Sequence, residues 1–331
     1  MRFSVHYVPA RIVAARDISP TVRMIEIAPE GGAQSWTPGA HINLSLPIGD
    51  SGETRSYSLI GEAHPQVYRI AVKRDDNGRG GSRYMHGCEV GARLNVSEPH
   101  NNFDLSWQGT HYVLVAGGIG VTPIHSMALA LAKRGAKVTV LQAARSRAEL
   151  AFADDLSAAL GDNIRFFVSD EGKRIDATAE VAALPADAEI YLCGPLSLVD
   201  AFRKAWRDGG RPMSRLRSET FGSSGAFAAE PFKVRVPALG IEVDVPADRS
   251  MADALEDAGV AVMTDCKRGE CGLCAVDIVS CEGEIDHRDV FLSDHERHEN
   301  TRICACVSRV AGGAISIDTG FRTDAQQGVG F

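Results

Sequence analysis

Three cysteines spaced as Cys266-Lys-Arg-Gly-Glu-Cys271-Gly-Leu-Cys274 constrain this chain more than any other feature, because one short loop must bring three thiols together. Six of the eight cysteines fall between Cys266 and Cys306, the remaining ones of that group being Cys281, Cys304 and Cys306. With one distant cysteine, the Cys-x4-Cys-x2-Cys run has the ligand spacing of plant-type 2Fe-2S centres. Gly269 and Gly272 permit close backbone approach and turn N–H groups toward sulfurs that carry negative charge. A structural zinc site favours paired units with two cysteines at each end, which this run does not offer. Disulfides fit poorly as well, since the N-terminus MRFSVHYVPARIVAARD lacks the apolar stretch of a secretory leader. The fourth ligand stays open on the residues alone.

No run of about 18 apolar residues marks a membrane span, so a cytoplasmic location and no membrane partner are expected. A net charge of -8 argues against a general nucleic-acid binder, which needs a dense basic surface. At 331 residues the chain exceeds what one core usually organises, and its texture changes twice. Residues 1–107 read as short β-rich runs (RIVAA, VRMIEIA, HINLSL, SYSLI, VYRIAVK, RLNVS) of an antiparallel barrel. Residues 108–224 alternate apolar runs (YVLVAGG, KVTVLQA, IRFFV, EIYLCG) with helical stretches, the pattern of βαβ units around a parallel sheet. Here Thr122 and Pro123 predict an N-cap and first turn for a helix over 123–134. Residues 225–231 predict an exposed linker, 232–321 a C-terminal α+β domain of β-grasp type, and 322–331 a frayed tail. In that last domain FKVRVPA and GIEVDVPA predict a hairpin, and Ser250 with Asp253 a capped helix start.

Strand YVLVAGG runs into Gly117-Gly118-Ile119-Gly120-Val121-Thr122-Pro123 and then a helix, which places backbone N–H groups where a pyrophosphate can sit. Pro123 stands where the third glycine of G-x-G-x-x-G belongs, so the loop is not a Rossmann fingerprint. Cys193-Gly194-Pro195 closes a later strand at the carboxyl edge of the same sheet, where open α/β sheets bind their ligands. Asp170, near the end of another strand, is suited to an adenosine ribose hydroxyl and favours NADH; Arg145 and Arg147 are suited to a 2'-phosphate instead.

In the first domain Arg55-Ser56-Tyr57-Ser58 opens a strand, with Arg55 and Tyr57 on one face and Ser56 and Ser58 on the other. Arginine for a phosphate, tyrosine beside an aromatic ring and small hydroxyls near its heteroatoms would serve a flavin. Gly80-Gly81-Ser82 begins a second helix start suited to an anion.

In their order along nearly the whole chain, RSYS, GGS, GGIGVTP, CGP and CxxxxCxxC with CVSR resemble the phthalate dioxygenase reductase family, which includes vanillate demethylase reductase. The resemblance implies a flavin barrel, a nicotinamide domain and a ferredoxin domain. It further implies FMN, a 2Fe-2S cluster and NADH as cofactors, with electrons leaving to a Rieske-type terminal oxygenase in a transient complex with a monomeric reductase. It assigns Arg55, Ser56, Tyr57, Ser58, Ala71, Lys73, Gly80, Gly81 and Ser82 to FMN. Gly117, Gly118, Gly120, Thr122, Pro123, Asp170, Cys193, Gly194 and Pro195 go to the nicotinamide dinucleotide, and Glu219 and Phe221 to the segment closing beside the flavin. Ser58, Cys193 and Phe221 would flank the hydride step. The Cys-Val pair at Cys306 resembles that of the fourth ligand, which leaves Cys304 and Cys281 as buried small hydrophobes. Lys267 and Arg268 are expected to project a small positive patch toward the partner. Two other readings remain: an FAD-dependent NAD(P)H reductase of the same layout serving a different acceptor, and a non-catalytic zinc or interaction module.

Overall fold

The computed structural model describes residues 6–48, 52–76, 78, 80–221, 225 and 227–321. The chain divides into two units, Met1–Glu219 and Thr220–Phe331. The expected tail at 322–331 lies outside the described residues.

The first unit opens with β1 (Tyr7–Ser19), β2 (Val22–Pro29), β3 (His41–Leu46), β4 (Glu53–Ser58), β5 (Tyr68–Lys73) and β6 (Arg93–Ser97), in the order β4-β3-β6-β1-β2-β5. Every neighbouring pair is antiparallel, and the two edges meet where Leu59 bridges Ile70 and Ile60 N–H donates to Arg69 O at 3.0 Å, which closes the barrel. Alternation does the work: Ile25 and Ile27 on β2, Ile42, Leu44 and Leu46 on β3 and Ile70 on β5 are buried inside. Each fully buried aliphatic side chain contributes about 1.5–3 kcal/mol. Register shifts after Ile12 and after Asp17 bend the long β1, which lets it pair with both β2 and β6. The short helix α1 (Gly81–Gly87) lies between β5 and β6.

A wholly parallel sheet follows, built from β7 (Tyr112–Gly117), β8 (Val138–Ala144), β9 (Ile164–Val168), β10 (Glu189–Cys193) and β11 (Leu216–Glu219) in the order β11-β10-β7-β8-β9. The chain runs outward one way through β8 and β9 and the other way through β10 and β11, so the switch point lies between β7 and β10. Helices α2 (Val121–Lys133), α3 (Ala153–Leu160), α4 (Ala177–Ala182) and α5 (Leu196–Asp208) connect these strands. The start of α2 differs from expectation: a 3-10 turn over Gly118–Gly120 feeds straight into Val121, Gly120 is the N-cap, and Thr122 Oγ1 donates to Ile119 O at 2.9 Å from inside the helix.

In the second unit β12 (Phe232–Val236) and β13 (Ile241–Val245) form the expected hairpin, turning at Gly240 with φ 66°. Helix α6 (Met251–Asp257), β14 (Ala275–Asp286), α7 (Asp294–Glu299), β15 (Arg302–Cys304) and β16 (Arg309–Asp318) complete a sheet ordered β13-β12-β16-β14-β15. Only the central β12–β16 pair is parallel. Ser250 caps α6 by accepting from Asp253 N–H, as expected, while the reciprocal capping box is the unforeseen Ser293–Glu296 pair at α7. The described part of the linker is tied to this unit. Arg288 donates to Phe227 O at 2.9 Å, Arg309 to Glu230 O at 3.0 Å, and a Cβ on Gly225 would fall 2.1 Å from Asp286 Oδ2. No helix among the described residues is long and apolar enough to cross a membrane.

Candidate redox centre

The cysteine loop leads from α6 into β14. Lys267, Gly269 and Gly272 all adopt positive φ, and a Cβ would meet Val307 Cγ2 at 2.6 Å from Gly269 and the Phe291 ring at 2.2 Å from Gly272. Glycine is therefore required at both turns. The curl that results aims the N–H groups of Arg268, Glu270 and Cys271 at Cys266 Sγ, each at 3.4 Å. Three donors on one sulfur suit a thiolate bound to metal. Cys274 Sγ lies 3.1 Å from Cys306 Sγ, and Cys304 also bonds Cys274. Hydrogen bonding with Cys304 first and then Cys306 brings the Cys274 thiol down to about 4, and pushes the Cys304 and Cys306 thiols up. Cys266 is raised by burial, against its three backbone donors.

Cys266 is thus paired with Cys271 and Cys274 with Cys304 and Cys306, Cys306 standing near enough to Cys266 to feel its charge; no group of three or more among the described residues is arranged as a metal site. Cys306 sits in a turn, since Val307 and Ser308 N–H both bond Cys304 O, so the segment 304–306 is not extended. Cys281 is only half-buried on β14, its thiol donating to Gly283 O at 3.7 Å, which corrects the expectation of a buried side chain. Lys267 and Arg268 also depart from expectation. Lys267 is held by Asp253 at 2.9 Å, and Arg268 is 7% exposed and paired with Glu270 at 3.2 Å. Glu270 accepts Thr220 N–H at 3.0 Å as well. Free cations do not stand on this loop.

At the switch point the glycines touch. A Cβ on Gly120 would fall 2.1 Å from Cys193 O, one on Gly117 would fall 2.7 Å from Pro195 Cδ, and one on Gly194 would fall 3.0 Å from Gly117 Cα. The turn from β7 into α2 therefore packs bare backbone against the end of β10, with Gly118 at φ 55° in the turn and Thr122 and Pro123 buried in the first turn of the helix. Buried Cys193 stands opposite buried Glu219 in the β10–β11 register, Sγ to Oε2 4.0 Å. Asp170 is exposed after β9 and its N–H bonds Arg145 O at 2.9 Å, while Arg147 donates to Glu171 at 2.9 Å. Phe221 is half-buried in the second unit.

In the barrel the two expected motifs converge. A Cβ on Gly81 would fall 2.8 Å from Arg55 Nε, so the guanidinium lies over the start of α1, next to Gly80 in the left-handed conformation; Arg55 also pairs with Glu53. Ser58 is buried and its Oγ has no hydrogen-bond partner among the described residues. A buried hydroxyl left this way costs about 1–3 kcal/mol and fits a ring heteroatom brought by a cofactor. Tyr57 is half-buried, its phenol pushed up by burial. Ser56 Oγ donates to Asn43 at 2.6 Å, and Ser82 Oγ accepts Asp75 N–H at 3.0 Å. Ala71 is buried on β5. Lys73 is engaged elsewhere: its Nζ lies 2.8 Å from Glu149, whose other oxygen accepts Thr21 Oγ1 at 3.0 Å.

Comparison with known proteins points the same way. Residues 235–311 match the 2Fe-2S iron-sulfur cluster binding domain family, and residues 114–204 the oxidoreductase NAD-binding domain family. The chain is 35% identical over 321 residues to a toluene-4-sulfonate monooxygenase system reductase subunit from Comamonas testosteroni, covering 94% of this chain and 98% of that one. It is 35% identical over 312 residues to a heme-dependent oxidative N-demethylase beta subunit from Ectopseudomonas mendocina, covering 93% and 97%. The solved structure of phthalate dioxygenase reductase, described as modular for electron transfer from pyridine nucleotides to [2Fe-2S], superposes with a TM-score of 0.75 at 32% identity, covering 94% of this chain and 98% of that one.

Proposed function

Since the chain belongs to the phthalate dioxygenase reductase family, a family of oxygenase reductases, we propose that it draws hydride from NADH onto FMN and delivers single electrons through a 2Fe-2S cluster to a Rieske-type terminal oxygenase or demethylase. A bound flavin bridges the two-electron chemistry of nicotinamide and the one-electron chemistry of an iron-sulfur centre. The chain's own residues position and insulate. Arg55 with Gly80, Gly81 and Ser82 holds the flavin phosphate, Tyr57 packs beside the ring, and Ser58 offers its unpartnered hydroxyl to a ring heteroatom. The backbone of Gly117, Gly118 and Gly120, with Thr122 and Pro123 behind it, receives the pyrophosphate at a helix start. Cys193, Gly194 and Pro195 floor the nicotinamide subsite, with Glu219 buried beside Cys193 and Phe221 in the closing segment. Asp170 takes the ribose. No side chain has to move a proton, which accords with a site lined mainly by backbone.

Cys266, Cys271, Cys274 and Cys306 are the ligands in this reading. Residues 1–107 serve the flavin, 108–224 the nicotinamide and 232–321 the cluster, with 225–231 between. The protein acts as a cytoplasmic monomer that meets its oxygenase transiently. The observation that carries the proposal is the triple N–H bonding of Cys266 Sγ inside a loop whose two turns admit only glycine. The relation to the N-demethylase subunit makes a heme-dependent oxidative demethylase the alternative acceptor. Denaturing the purified protein should release about one FMN per chain, and the reduced protein should give a 2Fe-2S EPR signal. Stoichiometric zinc without iron, or released FAD, would overturn the cofactor assignment.

A further inference from the structure

The Glu149 carboxylate uses both oxygens on the flavin barrel while sitting on the nucleotide-binding sheet. Oε2 accepts Lys73 Nζ at 2.8 Å and Oε1 accepts Thr21 Oγ1 at 3.0 Å. Those two partners lie side by side: Lys73 ends β5, Thr21 precedes β2, Val22 is paired with Lys73 across the ladder, and Arg74 N–H bonds Thr21 O at 2.7 Å. One carboxylate therefore clasps two adjacent strands.

On its own side Glu149 is anchored firmly. Its carbonyl accepts Ala151 N–H at 2.9 Å, and Ala151 O accepts the buried Gln142 side chain of β8 at 2.9 Å. The same turn carries Arg145 and Arg147, which adjoin Asp170 and Glu171. A separate attachment joins α2 to the barrel, where Ser126 Oγ donates to Leu59 O at 2.8 Å. With α2 attached at one place and the β8 turn at another, separate contacts restrain the barrel against the sheet.

We propose that Glu149 is a positioning residue for hydride transfer, a latch that holds the barrel in register with the nucleotide crevice; this rests on the flavin and nicotinamide assignments above. The reaction requires the two rings within near-attack distance, and a misplacement of about 1 Å costs about 100-fold in rate. The partly exposed ion pair contributes little to stability, so the latch shows itself in geometry.

The test is stopped-flow reduction of the flavin by NADH in the full-length holoprotein, comparing the parent with Glu149→Ala, Glu149→Asp and Lys73→Met. Glu149→Ala should lower the limiting reduction rate about 10-fold or more and weaken the nicotinamide–flavin charge-transfer absorbance, while flavin occupancy and the NADH dissociation constant change by less than about 3-fold. Lys73→Met should reproduce this, and Glu149→Asp should recover part of it. Parental rate and charge-transfer absorbance in Glu149→Ala overturn the proposal. Flavin loss in Lys73→Met with no change in Glu149→Ala overturns it too, assigning Lys73 to the cofactor. An unsubstituted protein that holds no flavin sinks the underlying reading along with the latch.

Discussion

Arg268 and Glu270 form an ion pair of 3.2 Å inside the loop that carries Cys266, Cys271 and Cys274, Arg268 buried and Glu270 nearly so. Burial pushes the Glu270 carboxyl up and Arg268 opposes it; Thr220 N–H adds a further bond. Removing one partner of such a pair strands the other charge and costs about 3–5 kcal/mol, whereas an apolar pair of similar volume is often neutral. Glu270→Ala should lower the unfolding free energy of the C-terminal unit by an amount in that range. Arg268→Met with Glu270→Leu should restore most of it, and a double variant worse than either single one would show that the pair is not the source.

Gly120→Ala places a methyl 2.1 Å from Cys193 O, against the Cys193–Gly194 backbone rather than a flexible side chain that could yield. Overpacking of this kind costs about 1–3 kcal/mol and pries β7 from β10 where the dinucleotide is proposed to enter. The expected result is a several-fold or larger rise in KM for NADH with FMN content intact. An unchanged KM would move the pyrophosphate away from this crevice.

Much of this was readable from local pattern. Alternation gave β2 and β12, the glycine run after YVLVAG marked the switch-point loop, and the cysteine spacing marked the cluster loop, because each depends on residues close in sequence. Other features depend on distant partners. Glu149 meets Thr21 and Lys73 across 128 and 76 residues, so nothing local marks Glu149, and Lys73 reads as a flavin contact. Arg268 and Glu270, two apart in a glycine-rich loop, read as solvated charges until the loop curls inward and buries them. Cys-Ala-Cys-Val reads as strand, yet the chain turns there because Val307 and Ser308 N–H both return to Cys304 O.

Glu149 is held below the usual 4.5 chiefly by its hydrogen bond from Lys73, with burial opposing and Thr21 assisting. A lowered carboxyl stabilises the fold above its unfolded value, and that contribution is lost as the pH falls through the folded one. The gap in melting temperature between parent and Glu149→Gln should therefore be constant above about pH 5, shrink below it, and stay small throughout because the pair is partly exposed. A gap that widens on acidification would contradict the assignment of charge.

NADH should be preferred over NADPH. Asp170 stands exposed after β9, and Arg147, one of the two cations suited to a 2'-phosphate, is paired with Glu171. Asp170→Ala should reduce kcat/KM for NADH about 10-fold, the value of a charged hydrogen bond of about 1.5 kcal/mol. Glu171→Gln should raise kcat/KM for NADPH by freeing Arg147. A parent enzyme that favours NADPH would show that the arginines already govern the choice.

Cys306 and Cys304 both reach Cys274, so proximity to it does not choose the fourth ligand. Their surroundings differ. Cys304 ends β15 in ladder pairing with Ala275, whereas Cys306, buried in the same core, lies in the turn that follows, its Sγ 3.1 Å from that of Cys274. A metal centre needs a thiolate that can face the loop, and a turn can present one where a core strand position has to keep packing. Cys306→Ser should therefore abolish or severely weaken the EPR signal of the reduced protein and lower its iron content. Cys304→Ser should keep both and lose about 1–3 kcal/mol of stability from a hydroxyl placed in an apolar site. If Cys304→Ser loses the signal and Cys306→Ser retains it, the ligand is Cys304 and the turn serves only to pack the loop.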